Sequence, residues 1–209
     1  MATALEIAGI SKSYTGPPLF ADLTFTVERG FVAVSGRNGS GKTTLLKILA
    51  GLARASGGTV RVLSDGRELS GDARRLAVGW AGPDLAFYED FTAAENLDFF
   101  RRAAGRPAPA AELARLLESV GIAGPAVAKR VGEFSTGMRQ RLRLAFATLF
   151  DPPILLLDEP TLGLDVEGHA AAARIVAARR AFGAVIVASN DERDFAAPDR
   201  RIELGRQER

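Results

Sequence analysis

Residues 36–43 read GRNGSGKT, a glycine-rich stretch closed by a lysine and a threonine. Glycines at this spacing let successive backbone N–H groups turn toward one point, a concavity suited to phosphate oxygens. Gly36, Asn38, Gly39, Ser40 and Gly41 are expected to surround a phosphate chain. Lys42 would reach the β- and γ-phosphates of a nucleotide, and the Thr43 hydroxyl, followed by Thr44, would bind Mg²⁺. An apolar run, FVAVS, precedes the loop, and TTLLKILAG follows it. This is the strand–loop–helix context that the motif requires, and the helix adds its positive N-terminal end.

A second candidate is ILLLDEP at 154–160. Four apolar residues predict a buried strand that delivers two carboxylates to its end. Asp158 suits the shell of a Mg²⁺ ion that keeps several waters. Glu159 suits a general base that polarises an attacking water. Alone, the Asp-Glu pair could equally end a strand and turn the chain at Pro160. A third stretch, FSTGMRQR at 134–141, places Ser135 and Gly137 at a helix start, where Ser135 is a natural N-cap. A fourth, VIVASND at 185–191, is a β-branched run ending in polar residues. In open α/β sheets ligands bind at such strand ends, which turns attention to Asn190.

The elements that position these groups follow from apolar patterning. Strands are expected at 5–10, 31–35, 59–63, 76–81, 154–158, 184–189 and 201–204. Helices are expected at 42–49, 93–102, 111–119, 136–150 and 166–180. Strands alternating with helices imply an α/β fold with a mostly parallel, covered sheet. The first third is turn-rich and suggests an antiparallel β layer. Residues from about 92 to 133 read as a helical insert, broken at 106–109 (RPAP), between core segments 1–91 and 134–209 of one domain.

Composition bounds the function. The net charge is +2, and only four of the 27 basic residues are lysines, so no nucleic-acid partner is expected. There is no cysteine and one histidine, which excludes thiolate and poly-histidine metal sites. The N-terminus lacks the basic start and apolar core of a secretory signal. No apolar run approaches the roughly 18 residues that span a bilayer. The expectation is a soluble protein for which any membrane role comes through a partner.

Taken together, GRNGSGKT, FSTGMRQR and ILLLDEP, in that order, resemble the ATP-binding cassette (ABC) family. FSTGMRQR stands where that family has its LSGGQ-like signature. Gly163–Asp165, within TLGLD, resembles its D-loop, and Tyr14, in SKSYTG, matches the aromatic that stacks on adenine. The resemblance covers nearly the whole chain. Among family members it is similar to small bacterial exporter subunits, including the haem-exporter subunit of cytochrome c maturation.

The resemblance implies a P-loop NTPase (RecA-like) core with an antiparallel β subdomain and an inserted helical subdomain. ATP and Mg²⁺ are the implied ligands. It also implies a head-to-tail dimer with a second ATP-binding subunit. In that dimer Ser135, Gly137 and Asp165 of one subunit face the nucleotide on the P-loop of the other, and a membrane permease is driven by closing and opening. Phe87, Tyr88, Phe91 and Glu95 fall where the permease would dock, and they read equally as packing and turn residues. Two positions depart from the family pattern. The glutamine expected after LAVGWA falls on Pro83, with Asp84 beside it. The histidine expected after the last core strand is Asn190, which is therefore expected to face the γ-phosphate. His169, past the D-loop, reads as a surface helix residue without a catalytic role. The leading function is the ATP-hydrolysing subunit of a membrane transporter, slow because of the two departures. The alternatives are an ATP-binding regulatory subunit with little hydrolysis and a non-transport cassette ATPase. The latter is disfavoured by the single cassette and by the lack of room for a long coiled coil.

Overall fold

The computed structural model describes residues 2–191, 194 and 197–205. Five strands form an all-parallel sheet: β3 (Gly30–Gly36), β6 (Val78–Ala81), β7 (Ile154–Asp158), β8 (Ala184–Ala188) and β9 (Arg200–Leu204), in the order β6-β7-β8-β3-β9. A four-stranded sheet is antiparallel, in the order β2-β1-β4-β5, from β1 (Thr3–Lys12), β2 (Phe20–Val27), β4 (Gly57–Ser64) and β5 (Arg67–Glu68).

Strands β3, β7 and β8 are continuous apolar runs because both faces of their sheet are covered. On β7, Ile154 and Leu156 enter one core with α1 (Lys42–Ala50) and the antiparallel sheet. Leu155 and Leu157 enter a second core on the opposite face. That second core includes side chains of α3 (Ala93–Ala103), α4 (Ala110–Ser119) and α5 (Thr136–Thr148). Two 3-10 turns, Gly124–Ala128 and Val131–Glu133, lead from α4 to α5, and α6 (Val166–Arg180) precedes β8.

Three expectations are corrected. Leu76 and Ala77 belong not to a strand but to helix α2 (Gly71–Ala77), and the strand starts at Val78. Apolar content alone does not separate the end of a short helix from the start of a strand. The helix expected through Phe150 stops at Thr148, ahead of Pro152 and Pro153. Strand β2, absent from the expected list, pairs with β1 in a register broken twice. Tyr88, Phe91 and Phe99 leave their rings exposed in one aromatic group, Phe99 edge-on to Tyr88 and Phe91 tilted against it, and Glu95 closes a capping box with Thr92 at the start of α3. Among the described residues, no helix is long and apolar enough to cross a membrane.

Candidate nucleotide site

The 37–41 loop joins the carboxyl end of β3 to the first residue of α1. Gly36, Gly39 and Gly41 adopt φ of 151°, 81° and 99°, a region that side-chain-bearing residues avoid. At Gly36 space forbids a side chain as well: a Cβ would lie 2.6 Å from Ser40 Oγ and 2.7 Å from the Leu204 carbonyl oxygen. A cavity of about 230 Å³ opens beside the loop. Asn38, Gly39, Gly41, Lys42, Thr43, Thr44, Glu159 and Asn190 line it, together with Leu19.

Lys42 is buried at 7% exposure, and its ammonium donates to the Gly36 carbonyl at 2.9 Å and to Asn190 Oδ1 at 2.9 Å. Asn190 Nδ2 donates in turn to Asn38 Oδ1 at 2.8 Å and to Glu159 Oε1 at 2.9 Å. Asn190 thus joins the loop lysine to the second carboxylate of ILLLDEP. Glu159 sits just past β7 with φ of 48°, which costs a non-glycine residue of the order of 1 kcal/mol. The surroundings hold it there. Its N–H donates to the Ala188 carbonyl at 2.7 Å. Its carboxylate accepts from Ser189 Oγ at 3.0 Å and from the Asn190 N–H at 3.1 Å.

Asp158 is buried at 1% exposure, and among the described residues no hydrogen bond of proper geometry reaches either oxygen. Burial raises its pKa above the usual aspartate range. The Thr43 hydroxyl beside it pulls the other way, Glu159 adds to the rise and Lys42 opposes it. Ser40 Oγ is likewise buried, without a partner among the described residues. Unpartnered buried oxygens next to a phosphate-type loop fit a hydrated Mg²⁺ ion, with Thr43 and Asp158 as its protein groups. Among the described residues no cluster of three acidic or imidazole groups could hold a metal by itself, so such an ion would also need the phosphate oxygens.

The remaining predicted residues lie apart from this cavity. Ser135 is exposed and caps α5, accepting from the Met138 N–H at 3.2 Å. Gly137 is required by close packing: a Cβ there would lie 2.9 Å from the Gly163 carbonyl oxygen. Asp165 caps α6 through the Gly168 N–H at 2.8 Å and pairs with the buried Arg141. The Gly168 N–H is the largest cause of the lowered Asp165 pKa. Ser135, Gly137, Gly163 and Asp165 therefore form a second cluster, separate from the Lys42 cavity. Tyr14, 67% exposed, lies under the Lys12 ammonium at 4.5 Å and does not line the cavity. His169, half-exposed on α6, does not line it either. Asp84, beside Pro83, pairs with Lys47 of α1 at 2.9 Å.

Two residues that sequence patterning did not single out hold the site from behind. Gln140 is buried, and its Nε2 donates to the carbonyls of Glu159 at 3.1 Å and Pro160 at 3.0 Å. Arg143 donates to the Pro83 carbonyl at 2.9 Å and to Gln140 Oε1 at 3.1 Å. Their partners are mostly backbone carbonyls, which no sequence motif marks.

Residues 20–162 match the model of the ABC transporter family. The chain is 35% identical over 209 residues to the Fe(3+) ions import ATP-binding protein FbpC 1 of Rhodococcus jostii, an alignment covering 96% of this chain and 59% of that protein. The chain thus spans a little over half the length of that relative. It is 36% identical over 189 residues to the cytochrome c biogenesis ATP-binding export protein CcmA of Salmonella typhi, covering 89% of each. The fold matches an ATP-binding cassette solved as a dimer in a post-hydrolysis state with ADP and Pi. That match has a TM-score of 0.81 at 22% identity over 96% of this chain and 94% of the other.

Proposed function

The chain belongs to the ABC transporter family, and from that premise we propose that it binds and hydrolyses ATP as the nucleotide-binding subunit of a membrane transporter. The observation that carries this is one cavity in which Asn190 bridges the loop lysine Lys42 and the carboxylate of Glu159. The two relatives bear names of opposite transport direction, import and export. What they share with this chain is the ATP-binding cassette.

In this reading the loop N–H groups and the Lys42 ammonium neutralise the phosphates, a charge-assisted contact held ready by the Gly36 and Asn190 acceptors. Thr43 and Asp158 would hold Mg²⁺, which supplies charge stabilisation to the transferring phosphoryl group. Glu159 orients a water in line with the γ-phosphate and takes its proton. The water oxygen bonds to the γ-phosphorus, the bond to the β-phosphate oxygen breaks, and ADP and inorganic phosphate leave. Three donors already surround the Glu159 carboxylate. That leaves about one of the carboxylate's four lone-pair positions for an incoming water, which supports a slow turnover. Pro83 brings no side-chain amide near the water, and Asn190 remains neutral at every working pH.

The second cluster supports a dimer. An exposed Ser135 and an α5 N-terminus pressed against Gly163 would meet the γ-phosphate of a second subunit carrying the same cassette. The chain would then sit on the cytoplasmic face of the membrane, bound to a permease beside the exposed aromatic group of Tyr88, Phe91 and Phe99. Residues 92–133 would act as its helical subdomain and the remainder as the α/β core with its β layer.

The test compares steady-state ATP hydrolysis of wild type and Glu159→Gln. Loss of a general base should cut the rate by about 10²-fold or more while ATP binding persists. The mutant should run as a dimer in gel filtration with ATP and Mg²⁺. Equal rates would favour the regulatory reading, which the donor-crowded Glu159 also fits.

A further inference from the structure

Helix α5 carries Arg139 and Arg143 one turn apart, and both bind the segment that follows β6. Arg139 pairs with Glu89 at 3.2 Å and donates to the Gly132 carbonyl at 3.2 Å. Arg143 reaches further inward. Its Nη2 donates to the Pro83 carbonyl at 2.9 Å, its Nε to the Leu85 carbonyl at 3.3 Å and its Nη1 to Gln140 Oε1 at 3.1 Å. The guanidinium is half-buried, and burial is the main cause that lowers its pKa, followed by repulsion from Arg139. It keeps its charge at neutral pH.

A guanidinium has donors only, so it can meet the oxygen end of an amide and never the nitrogen end. Bonded to Arg143, the Gln140 amide has one orientation left: Nε2 toward the carbonyls of Glu159 and Pro160, where it lies at 3.1 and 3.0 Å. Turned the other way, the amide would set its oxygen against two carbonyl oxygens. Glu159 is also the residue held at φ of 48°, so its backbone needs external support.

We propose that Arg143 is a positioning residue: by fixing the Gln140 amide it ties the Pro83–Leu85 loop to the backbone of Glu159, so that the position of that loop sets the aim of the carboxylate. This deepens the ATPase reading, on which it rests for the role of Glu159. The loop leads directly into the exposed aromatic group at Tyr88 and Phe91, so a load on that surface would reach Glu159 through two side chains.

The experiment uses the full chain with Arg143→Met, which keeps the aliphatic stem and removes the fork, together with Arg143→Lys, Gln140→Leu and the Arg143→Met/Gln140→Leu pair. Steady-state ATPase and amide hydrogen exchange are both read. Arg143→Met should lower kcat about tenfold, the scale of one hydrogen bond, with KM for ATP within about twofold of wild type. Exchange should rise at the N–H groups of Glu159 and Leu162, bonded to Ala188 and Glu159, as well as at Leu85 and Tyr88 in the loop. Arg143→Lys should recover part of both losses, and the pair should be no worse than the poorer single variant. Multiplying losses, or exchange that rises only at Leu85 and Tyr88 with kcat unchanged, would overturn the proposal and leave Arg143 a local staple. A wild type without ATPase would sink the functional reading instead, while the exchange pattern would still decide the link between loop and carboxylate.

Discussion

The Lys42 cavity and the Ser135 cluster are assembled on different length scales. Lys42 and Asn190 are 148 residues apart in the chain, Asn190 and Asn38 are 152 apart, and Asn190 and Glu159 are 31 apart. The first cluster therefore exists only when β3, β7 and β8 lie side by side. In the second, Ser135 bonds three residues ahead and Asp165 three residues ahead. Each is a helix cap that its own helix largely defines. One half is set in advance by the tertiary fold; the other offers exposed helix starts whose remaining surface is open. The same contrast divides the two aspartates. Burial raises the pKa of Asp158, and the Gly168 N–H lowers that of Asp165.

The largest expected effect breaks the first cluster. Lys42→Ala removes a buried cation that holds Gly36 and Asn190 and would hold the β- and γ-phosphates. ATP affinity should fall by roughly 100-fold, the upper range for one charged hydrogen bond, and turnover should drop to background. Isothermal titration that returns wild-type affinity would remove phosphate binding from the loop.

Next is Asp158→Asn, which sharpens the contrast between the aspartates because its sign is opposite. A carboxylate whose folded pKa is raised imposes no penalty below the unfolded value of about 3.9. As pH rises from there through the raised folded value, the unfolded chain ionises first and the fold loses stability. Above that window the penalty is complete. Asparagine carries none of it. At pH 7 the nucleotide-free variant should be more stable than wild type, because the buried amide carries no charge to desolvate. That corresponds to a higher Tm, with the gap closing toward pH 4. The variant should gain less Tm than wild type from ATP and Mg²⁺. Asp165 has the reverse linkage: its stabilising contribution is present above about 3.9 and is lost as pH falls through the lowered folded value. A variant at 158 that melts below wild type at pH 7 would mean that Asp158 already has a stabilising partner.

How far each cluster was legible follows from the same length scales. GRNGSGKT, ILLLDEP and the Ser135 cap are local strings whose chemistry is written in consecutive residues, and the structure puts each at the end of the element expected to carry it. Strand β2 was not legible. FADLTFTV follows a GPP break, and Asp22 takes a φ of 52°, so the two-residue alternation on which a strand is recognised is interrupted. Helix α2 is only seven residues long, and its Ser70 cap makes no side-chain bond, so Leu76 and Ala77 read as strand. Gln140 and Arg143 were invisible as site residues because Gln140 finds its carbonyls 19 and 20 residues away and Arg143 finds Pro83 60 residues away. Only the packed fold specifies such partners.

Asn190→Ala tests the bridge itself. It removes an acceptor from Lys42 and a donor from both Asn38 and Glu159. Turnover should fall about tenfold, equivalent to about 1.4 kcal/mol. In wild type the rate should show no inflection near pH 6.5, where a histidine would titrate. A pH–rate profile and the Asn190→Ala kcat decide it. An unchanged rate would leave Asn190 as an ornament of the strand end.

The smallest effect probes the second cluster, where a cap and a phosphate contact must be separated. Ser135→Ala deletes the oxygen that accepts the Met138 N–H at 3.2 Å. A lost N-cap costs about 1 kcal/mol, or a Tm lower by about 2–4 °C for a chain of this size. That result alone would not distinguish the two roles. Ser135→Asp does, because aspartate caps a helix as well as serine but sets a carboxylate where the γ-phosphate of a second subunit would lie. If Ser135 is only a cap, Ser135→Asp should keep the wild-type Tm and the wild-type rate. If the second cluster completes the site across a dimer, Ser135→Asp should keep the Tm, lose the ATP-dependent dimer in gel filtration, and slow hydrolysis by roughly tenfold for a loss of one phosphate contact. We expect the second pattern. Wild-type hydrolysis by Ser135→Asp would reduce the cluster to two local helix caps and leave the Lys42 cavity as the whole site.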